Sequence, residues 1–598
     1  VTILQPARPT DDVLLGVTSS VLGRRWRLRT TDEAAILALT RLVGVSDAVA
    51  RVLAGRGIDA AAAPRFLQPT LRDLMPDPSA LADMDRAAAR IVAAIEAGEG
   101  IAIFGDYDVD GATASALLHR FFRAVGVAPT VYIPDRMKEG YGPNAPALLA
   151  LKNAGARVAI TVDCGIVAFD ALAAAKGAGL DVIVIDHHKA EPTLPAAAAV
   201  VNPNRLDDAS GQGHLAAVGV AFLLVVAVNR ALRAAGRYRD RAEPDLRQWL
   251  DIVALGTVCD VVPLTGLNRA FVVQGLKVLA QGANPGMAAL ARVARLDGRP
   301  SAYHLGFLLG PRVNAGGRVG EASMGTRLLA TDDADEAAAL ALRLDEFNAA
   351  RKEIEAAVLA DAIEQAETTA RPEDPVVVAV GAAWHPGVIG IVAGRLKERY
   401  DRPVCVIAVD GGIGKGSGRS IPGVDLGRAV LAARDAGLLV NGGGHPMAAG
   451  LTVAEAAIPA FVAFLQDEVR RQLAGDRLAP VLALDGALAV PAVTPALVEE
   501  LSAVAPFGAG NDEPRFAVVG AQVAKADVVG AGHVRCFLSG NGGRLKAIAF
   551  KSADSELGHL LLNARGRTLH LAGTVRADTW QGRNEVQFCI DDAAPATA

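Results

Sequence analysis

The sequence predicts a multidomain α/β protein, on three observations: its 598 residues, an alternation of strand-length apolar runs with helical stretches, and a β-rich C-terminal region punctuated by Gly and Asn. A chain this long exceeds what one hydrophobic core serves, so roughly three to five structural units are expected. Apolar residues make up 51% and charged residues 21%, an ordinary globular composition, so most of the chain should fold. Only 4% is aromatic, and the abundant alanine reads as compositional bias that carries no function.

Residues 1–80 read as a helical lead-in broken by Pro64, Pro69, Pro76 and Pro78. Over 81–265 the apolar runs Ile101–Phe104, Val131–Ile133, Val158–Val162 and Val182–Ile185 have strand length, and helical stretches begin near Ala112, Ala145 and Ala168. That alternation predicts a mainly parallel sheet. Residues 266–372 read as a helical connector, ending in DEFNAARKEIEAAVLADAIEQAE, whose apolar spacing is helical and which could bridge two lobes. After ARPEDP at 370–375, the runs Val376–Val380 and Val404–Val409 predict a second, smaller α/β unit over 373–475. From 476 to 598, FAVVGAQV, RCFLS, LKAIAF, LHLAGTV and EVQFCI predict a small antiparallel barrel.

Composition removes several functional classes. The five cysteines, Cys164, Cys259, Cys405, Cys536 and Cys589, are scattered and form no C-x-x-C pair, which argues against a disulfide framework and a cysteine zinc site. The N-terminus lacks a basic segment before an apolar core, and no run approaches about 18 uninterrupted apolar residues, so a soluble cytoplasmic protein with no membrane partner is expected. The net charge of −5 leaves any nucleic-acid contact to local Arg and Lys clusters.

The segment IAIFGDYDVDGATA runs a buried-type strand into Asp106, Asp108, Asp110 and Gly111. A second strand ends in Asp163 (ITVDCG) and a third in Asp186, His187 and His188 (VIVIDHHK). In an open α/β sheet, ligands bind at these carboxyl ends. Asp260, in DIVALGTVCDVVPL, could close the cluster from the side. The D-x-D-x-D-G start also matches an EF-hand loop, but the twelfth position holds Leu117 where that loop needs Glu. Any one of these acids could be a helix cap or turn former. Together, converging carboxylates repel and call for divalent cations, and oxygen ligands with one or two imidazoles suit Mg²⁺ or Mn²⁺.

Asp186-His187-His188 with Asp106–Gly111 resembles the DHH phosphoesterase superfamily and, within it, the RecJ family of bacterial single-strand-specific exonucleases. The resemblance extends through GTVCDVVPL (256–264), GPRVNAGGR (310–318), WHPGVIGIVAGRL (384–396), GKGSGRSIPG (414–423), GGGHPMAAGL (442–451) and PFGAGNDEPRF (506–516). It implies a DHH catalytic domain, a DHHA1 substrate-binding domain and a C-terminal OB-fold. It further implies two divalent metal ions, with Asp106, Asp108, Asp110, Asp163, His187 and Asp260 at the ligand positions and Asp163 bridging. Asp186 and His188 would orient ligands or contact the scissile phosphate. Some family members carry a histidine where this chain has Phe104, which points to Asp106 as the ligand there. Two ions about 3.5–4 Å apart activate water and stabilise charge on the phosphate without a covalent nucleophile. By resemblance the activity is 5′→3′ hydrolysis of single-stranded DNA to 5′-mononucleotides in recombination and repair, with a single-stranded-DNA-binding protein and a RecQ-type helicase as partners.

GGIGKGSGRS is not a Walker loop, because Lys415 precedes Gly416 and the leading glycine position is Val409. The residues alone leave a flexible hairpin or an anion cradle in which Ser417, Gly418 and Arg419 meet a nucleic-acid phosphate; the resemblance favours the cradle. Asn314 and Arg318 offer phosphate or sugar contacts, and Arg136 lies after the second strand at the correct sheet end; surface ion pairing is the plain alternative for both arginines. His445, in the segment that resembles the DHHA1 lobe, is a further phosphate-contact candidate, although a lone histidine among glycines is more often structural or solvent-facing, and Trp384 is more often core than a base-stacking platform. Residues 481–598 carry ten Lys or Arg against twelve Asp or Glu, so any contact through Phe537, Phe550, Trp580 or Phe588 is a local face of the barrel. Two rival functions remain. A DHH pyrophosphatase or short-oligonucleotide hydrolase would not need the long middle region and barrel, and a nuclease-dead scaffold would not need every acid and both histidines.

Overall fold

Continuous apolar runs on consecutive strands are what a sheet covered on both faces requires, and they form one here. The computed structural model describes residues 13–135, 138–369, 371, 374–473, 480–578 and 585–596. Its first sheet has the order Thr130–Tyr132, Gly100–Gly105, Ala156–Val162, Asp181–Ile185, Ala199–Val201, all parallel. The last of these strands was not foreseen, since three residues are too few to show a period. Alternation divides the apolar residues between faces. Ile101, Ile103, Ile160 and Ile183 pack against helices Met84–Ala97, Val109–Ala124 and Ala217–Ala234, and Ala102, Phe104, Ala159 and Val184 against Ala145–Asn153 and Phe169–Gly177. Register aligns the strand ends: Gly105 pairs with Val162, Val162 with Ile185, and Ile185 with Val201. The next residues, Asp106, Asp163, Asp186 and Asn202, therefore emerge in a row.

Helix Ala217–Ala234 is long and apolar enough to cross a membrane by length and composition, but it is largely buried in this core. The connector is helical, with a separate core around Leu255, Leu290, Leu309 and Leu344. Its last helix, Ala334–Thr369, has 36 residues and packs against both the connector and the second sheet.

The second sheet has the order Asn441–His445, Ala448–Ala454, Ile413–Arg419, Val404–Asp410, Val377–Ala382, antiparallel except for its last pair. Helix Ile389–Tyr400 covers one face, and Leu426–Asp435 with Ile458–Gln472 the other.

At the C-terminus, Arg515–Val529, His533–Gly540, Gly543–Ala549, Glu585–Pro595 and Thr568–Asp578 close into a five-stranded barrel through the pairing of the first and last. The described part of the N-terminal segment packs onto this barrel and includes a strand beside its helices. Arg25–Leu28 forms a strand parallel to Val481–Leu484, Trp26 Nε1 donates to buried Asp592 at 3.1 Å, and Val49, Leu53 and Phe66 share the barrel core.

Candidate metal centre and nucleic-acid cleft

The acids meet because the strands end together. Asp108 caps its own helix, one carboxylate oxygen accepting Gly111 N–H at 3.0 Å. Asp110 caps another, its two oxygens accepting Ala217 and Val218 N–H at 2.6 and 2.8 Å across the sheet end. Gly256 lets helix Leu250–Cys259 approach, since a Cβ there would stand 2.2 Å from Thr113 Oγ1; that helix delivers Asp260. Capping and ligand geometry thus coexist in the same carboxylates.

Three donor groups result, each with its ligand atoms within 4.8 Å of one another: Asp106, Asp108 and Asp163; Asp163, His187 and His188; Asp110, His187 and Asp260. Asp163 belongs to two of them, as does His187. His187 Nδ1 faces the Leu215 carbonyl at 3.1 Å, so that nitrogen holds the proton and Nε2 presents a lone pair. Nε2 is 3.3 Å from Asp163 Oδ1 and 3.6 Å from Asp260 Oδ2, and these three buried acceptors have no hydrogen-bond partner among the described residues. Acceptors facing acceptors in a buried place fit divalent cations bound by oxygen and imidazole.

The electrostatics follow. Burial, then repulsion from neighbouring carboxylates, raises Asp163 well above the usual range, Asp110 to about 7 and Asp260 to about 9. Burial, then the charge of His188, lowers His187. Asp186 goes the other way: against its burial, the His188 hydrogen bond and charge and the N–H groups of His188 and Ile166 lower it. His188 Nδ1 is held by Asp186 Oδ1 at 2.8 Å, which raises the imidazole pKa against partial burial. The second ring nitrogen remains for a ligand.

Some supporting residues escaped the sequence reading. Tyr141 Oη donates to the Asp163 carbonyl at 3.0 Å and lies 3.3 Å from His188 Nδ1, while Asn202 and Asn204 donate to the His188 and His187 carbonyls. The run NPN after an apolar triplet was the available signal for the asparagines.

A second cleft, about 340 Å³, lies where the connector meets the second sheet and is lined by Arg318, Gly387, Gly390, Lys415, Ser417 and Arg419 among others. Alternation on strand Ile413–Arg419 puts Lys415, Ser417 and Arg419 on one face. Arg318 Nη1 donates to the Gly387 carbonyl at 2.8 Å, and Arg419 Nη1 contacts Ser417 Oγ at 3.2 Å. The glycine cradle expected around Gly418 is corrected here. The strand is paired on both edges, so its backbone N–H groups serve the ladders, and Gly418 faces away, buried beside Leu426. Anion contacts must come from side chains. Packing demands the glycines: a Cβ at 414, 416 or 418 would stand 2.8 Å from Ile407 Cγ2, 2.7 Å from Leu451 Cδ1 or 2.5 Å from Leu426 Cδ2.

Asn314 lies on helix Gly310–Val319, outside the cleft lining. His445 shares a cross-strand row with Arg419, Ala448 between them, two strands over and roughly 10 Å away. Arg136 and Trp580 fall outside the described residues. On the barrel, Phe537 and Phe550 are exposed and Phe588 is core.

Comparison with known proteins agrees with this geometry. The DHH family N-terminal domain matches residues 100–257, the DHHA1 domain 373–471 and the RecJ OB domain 484–592. The chain is 34% identical over 575 residues to the single-stranded-DNA-specific exonuclease RecJ of Bacillus subtilis, covering 95% of this chain and 71% of that protein. Two crystal structures of Thermus thermophilus RecJ superpose on it. The Mn²⁺ complex has a TM-score of 0.80 at 32% identity, covering 96% of this chain and 80% of that one. The Mg²⁺ complex has a TM-score of 0.76 at 31% identity, covering 96% and 79%.

Proposed function

This chain belongs to the RecJ family of single-stranded-DNA-specific exonucleases, and from that premise we propose that it degrades single-stranded DNA from the 5′ end to 5′-mononucleotides during recombination and repair. It is a metal-dependent exonuclease, with two divalent ions, Mg²⁺ or Mn²⁺, as cofactors. The observation that carries the end-directed reading is the position of Arg318. The adjoining Gly317 presses on the acidic loop, where a Cβ would be 2.7 Å from the Tyr107 carbonyl, while Arg318 itself reaches Gly387 across the cleft. One short helix end thus links the acids to the Ser417–Arg419 face.

In this reading Asp106, Asp108, Asp110, Asp163, His187 and Asp260 hold the cations, and Asp163 is shared. Bound there, the pair would activate water near neutral pH and offset charge on the phosphate. Asp186 fixes the His188 ring through Nδ1 and favours its protonated form, and the remaining nitrogen is placed to meet a phosphate or leaving-group oxygen. Arg318, Ser417 and Arg419, with Arg136, Asn314 and His445 as further contacts, hold the phosphates at and next to the 5′ end. A single-stranded-DNA-binding protein and a RecQ-type helicase supply unpaired strand to this enzyme in the cytoplasm.

The test is a digest of 5′- and 3′-labelled single strands beside a blunt duplex, with Mn²⁺ or Mg²⁺ and with a chelator. Release of 5′ label first, metal dependence and survival of the duplex support the reading. Early release of 3′ label, or equal attack on duplex, overturns it.

A further inference from the structure

The connector carries two aromatic side chains that its core does not use. Tyr303 and Phe307 are 59% and 69% exposed, and their rings stack on each other at 5.1 Å between centroids with planes 25° apart. They lie at the start of the π-helical turn His304–Leu309, four residues apart, so one turn presents both on the same side. The opposite side of the turn is fully committed. Leu305 and Leu309 are buried, the Leu305 carbonyl receives the Cys259 thiol, and a Cβ at Gly310 would stand 2.3 Å from Cys259 Sγ. Cys259 immediately precedes the metal-facing Asp260. The platform is therefore anchored on the helix end that supplies the catalytic centre.

Phe307 also lines a cleft of about 490 Å³ with Arg318, Gly390, Arg395, Glu398 and Arg419. Arg318, Gly390 and Arg419 are common to this cleft and the phosphate-facing one, so the two are continuous. Water-exposed aromatic surface beside the guanidinium groups of Arg318, Arg395 and Arg419 matches the two sides of an unpaired strand, whose phosphates seek cations and whose bases seek apolar faces. We infer that Tyr303 and Phe307 form a stacking platform for nucleobases of the strand held by Arg318 and Arg419. Every base offers a π-face, so such a platform binds any sequence, while paired bases in a duplex have no face to offer it.

This inference rests on the exonuclease reading, and the experiment separates the two. Affinity of the full-length protein is measured in chelator by fluorescence anisotropy, for a 5′-phosphorylated strand and for one with abasic sugars throughout its 5′ half. Phe307→Ala and Phe307→Leu should each weaken binding of the intact strand by roughly 5- to 100-fold and leave the abasic strand unchanged, while Phe307→Tyr retains wild-type affinity. Tyr303→Ala should act in the same direction on the intact strand alone. Wild-type affinity in Phe307→Leu, or equal losses on both strands in Phe307→Ala, overturns the platform. Arg419→Ala, measured in parallel, should weaken both strands, because both retain phosphates. No loss there would overturn the cleft as a phosphate site, whatever the Phe307 variants do.

Discussion

His187 Nε2 stands 3.3 Å from Asp163 Oδ1, and neither atom has a hydrogen-bond partner among the described residues. A lone pair facing a carboxylate is stable only with a cation or proton between them. Asp163 has a left-handed backbone, with φ of 62°, which asparagine tolerates better than alanine. Asp163→Asn should lower kcat by roughly 10³-fold, about 4 kcal/mol of transition-state stabilisation. Its thermal midpoint in chelator should fall less with rising pH than that of wild type, because one buried carboxyl that must give up its proton is gone. Wild-type activity in the folded variant would remove Asp163 from the centre.

The same repulsion predicts how stability and metal affinity respond to pH. Carboxylates whose pKa is raised on folding bind more protons folded than unfolded, so their contribution is greatest at low pH and is lost as pH rises. The window runs from the ordinary carboxylate value of 3.8 through about 7 for Asp110 and about 9 for Asp260. In chelator, the part of the melting temperature set by this cluster should fall between about pH 5 and 9. Added Mn²⁺ should raise the midpoint more at pH 8 than at pH 5.5, because cations replace protons at the same oxygens. A metal-induced shift independent of pH would contradict this.

Terminal phosphate carries more negative charge than internal phosphate, and a guanidinium reads that difference. Arg419→Ala should lower kcat/KM on 5′-phosphorylated strands by roughly 10- to 100-fold, and less on strands with a 5′-hydroxyl. Cation binding, followed by calorimetry, should not change. Equal losses on both substrates would make Arg419 a general backbone contact.

Arg269 is buried with no carboxylate partner among the described residues, and its guanidinium donates to the carbonyls of Phe66, Val504 and Ala505 while lying 3.8 Å from the centre of the Phe66 ring. It thereby ties the connector to the N-terminal segment and to the approach of the barrel. Arg269→Met should cost roughly 2–4 kcal/mol in urea unfolding, since carbonyls lose charged donors. Limited proteolysis should open first near residues 64–70 and 503–512. An unchanged digestion pattern would show that the clip is dispensable.

Gly416 separates a packing role for the glycine repeat from a flexible one. Gly416→Ala places a methyl 2.7 Å from Leu451 Cδ1 and should destabilise by roughly 1–3 kcal/mol, with single-strand affinity of the folded fraction unchanged. A neutral effect on stability would restore the loop reading.

The parallel sheet and its acids were legible because both are local. Apolar runs such as Ile101–Phe104 and Val158–Val162 carry their own strand signal, and Asp106, Asp163 and Asp186 sit one or two residues past a run, where chain direction alone sends them to the carboxyl edge. Long separations were not legible. Asp260 reaches His187 only because Gly256 admits its helix against Thr113, and Trp26 finds Asp592 across nearly the whole chain. The glycines at 414, 416 and 418 misled for the same reason. Glycine locally signals a loop, whereas the need for it came from Ile407, Leu451 and Leu426, side chains that only the folded sheet and its covering helix bring near. Sequence by itself determined which groups could bind cations and phosphate, since that is a property of side chains. Tertiary structure decided which of them face one another, because distance between residues remote in the chain is set by packing and strand register, neither of which a local pattern contains.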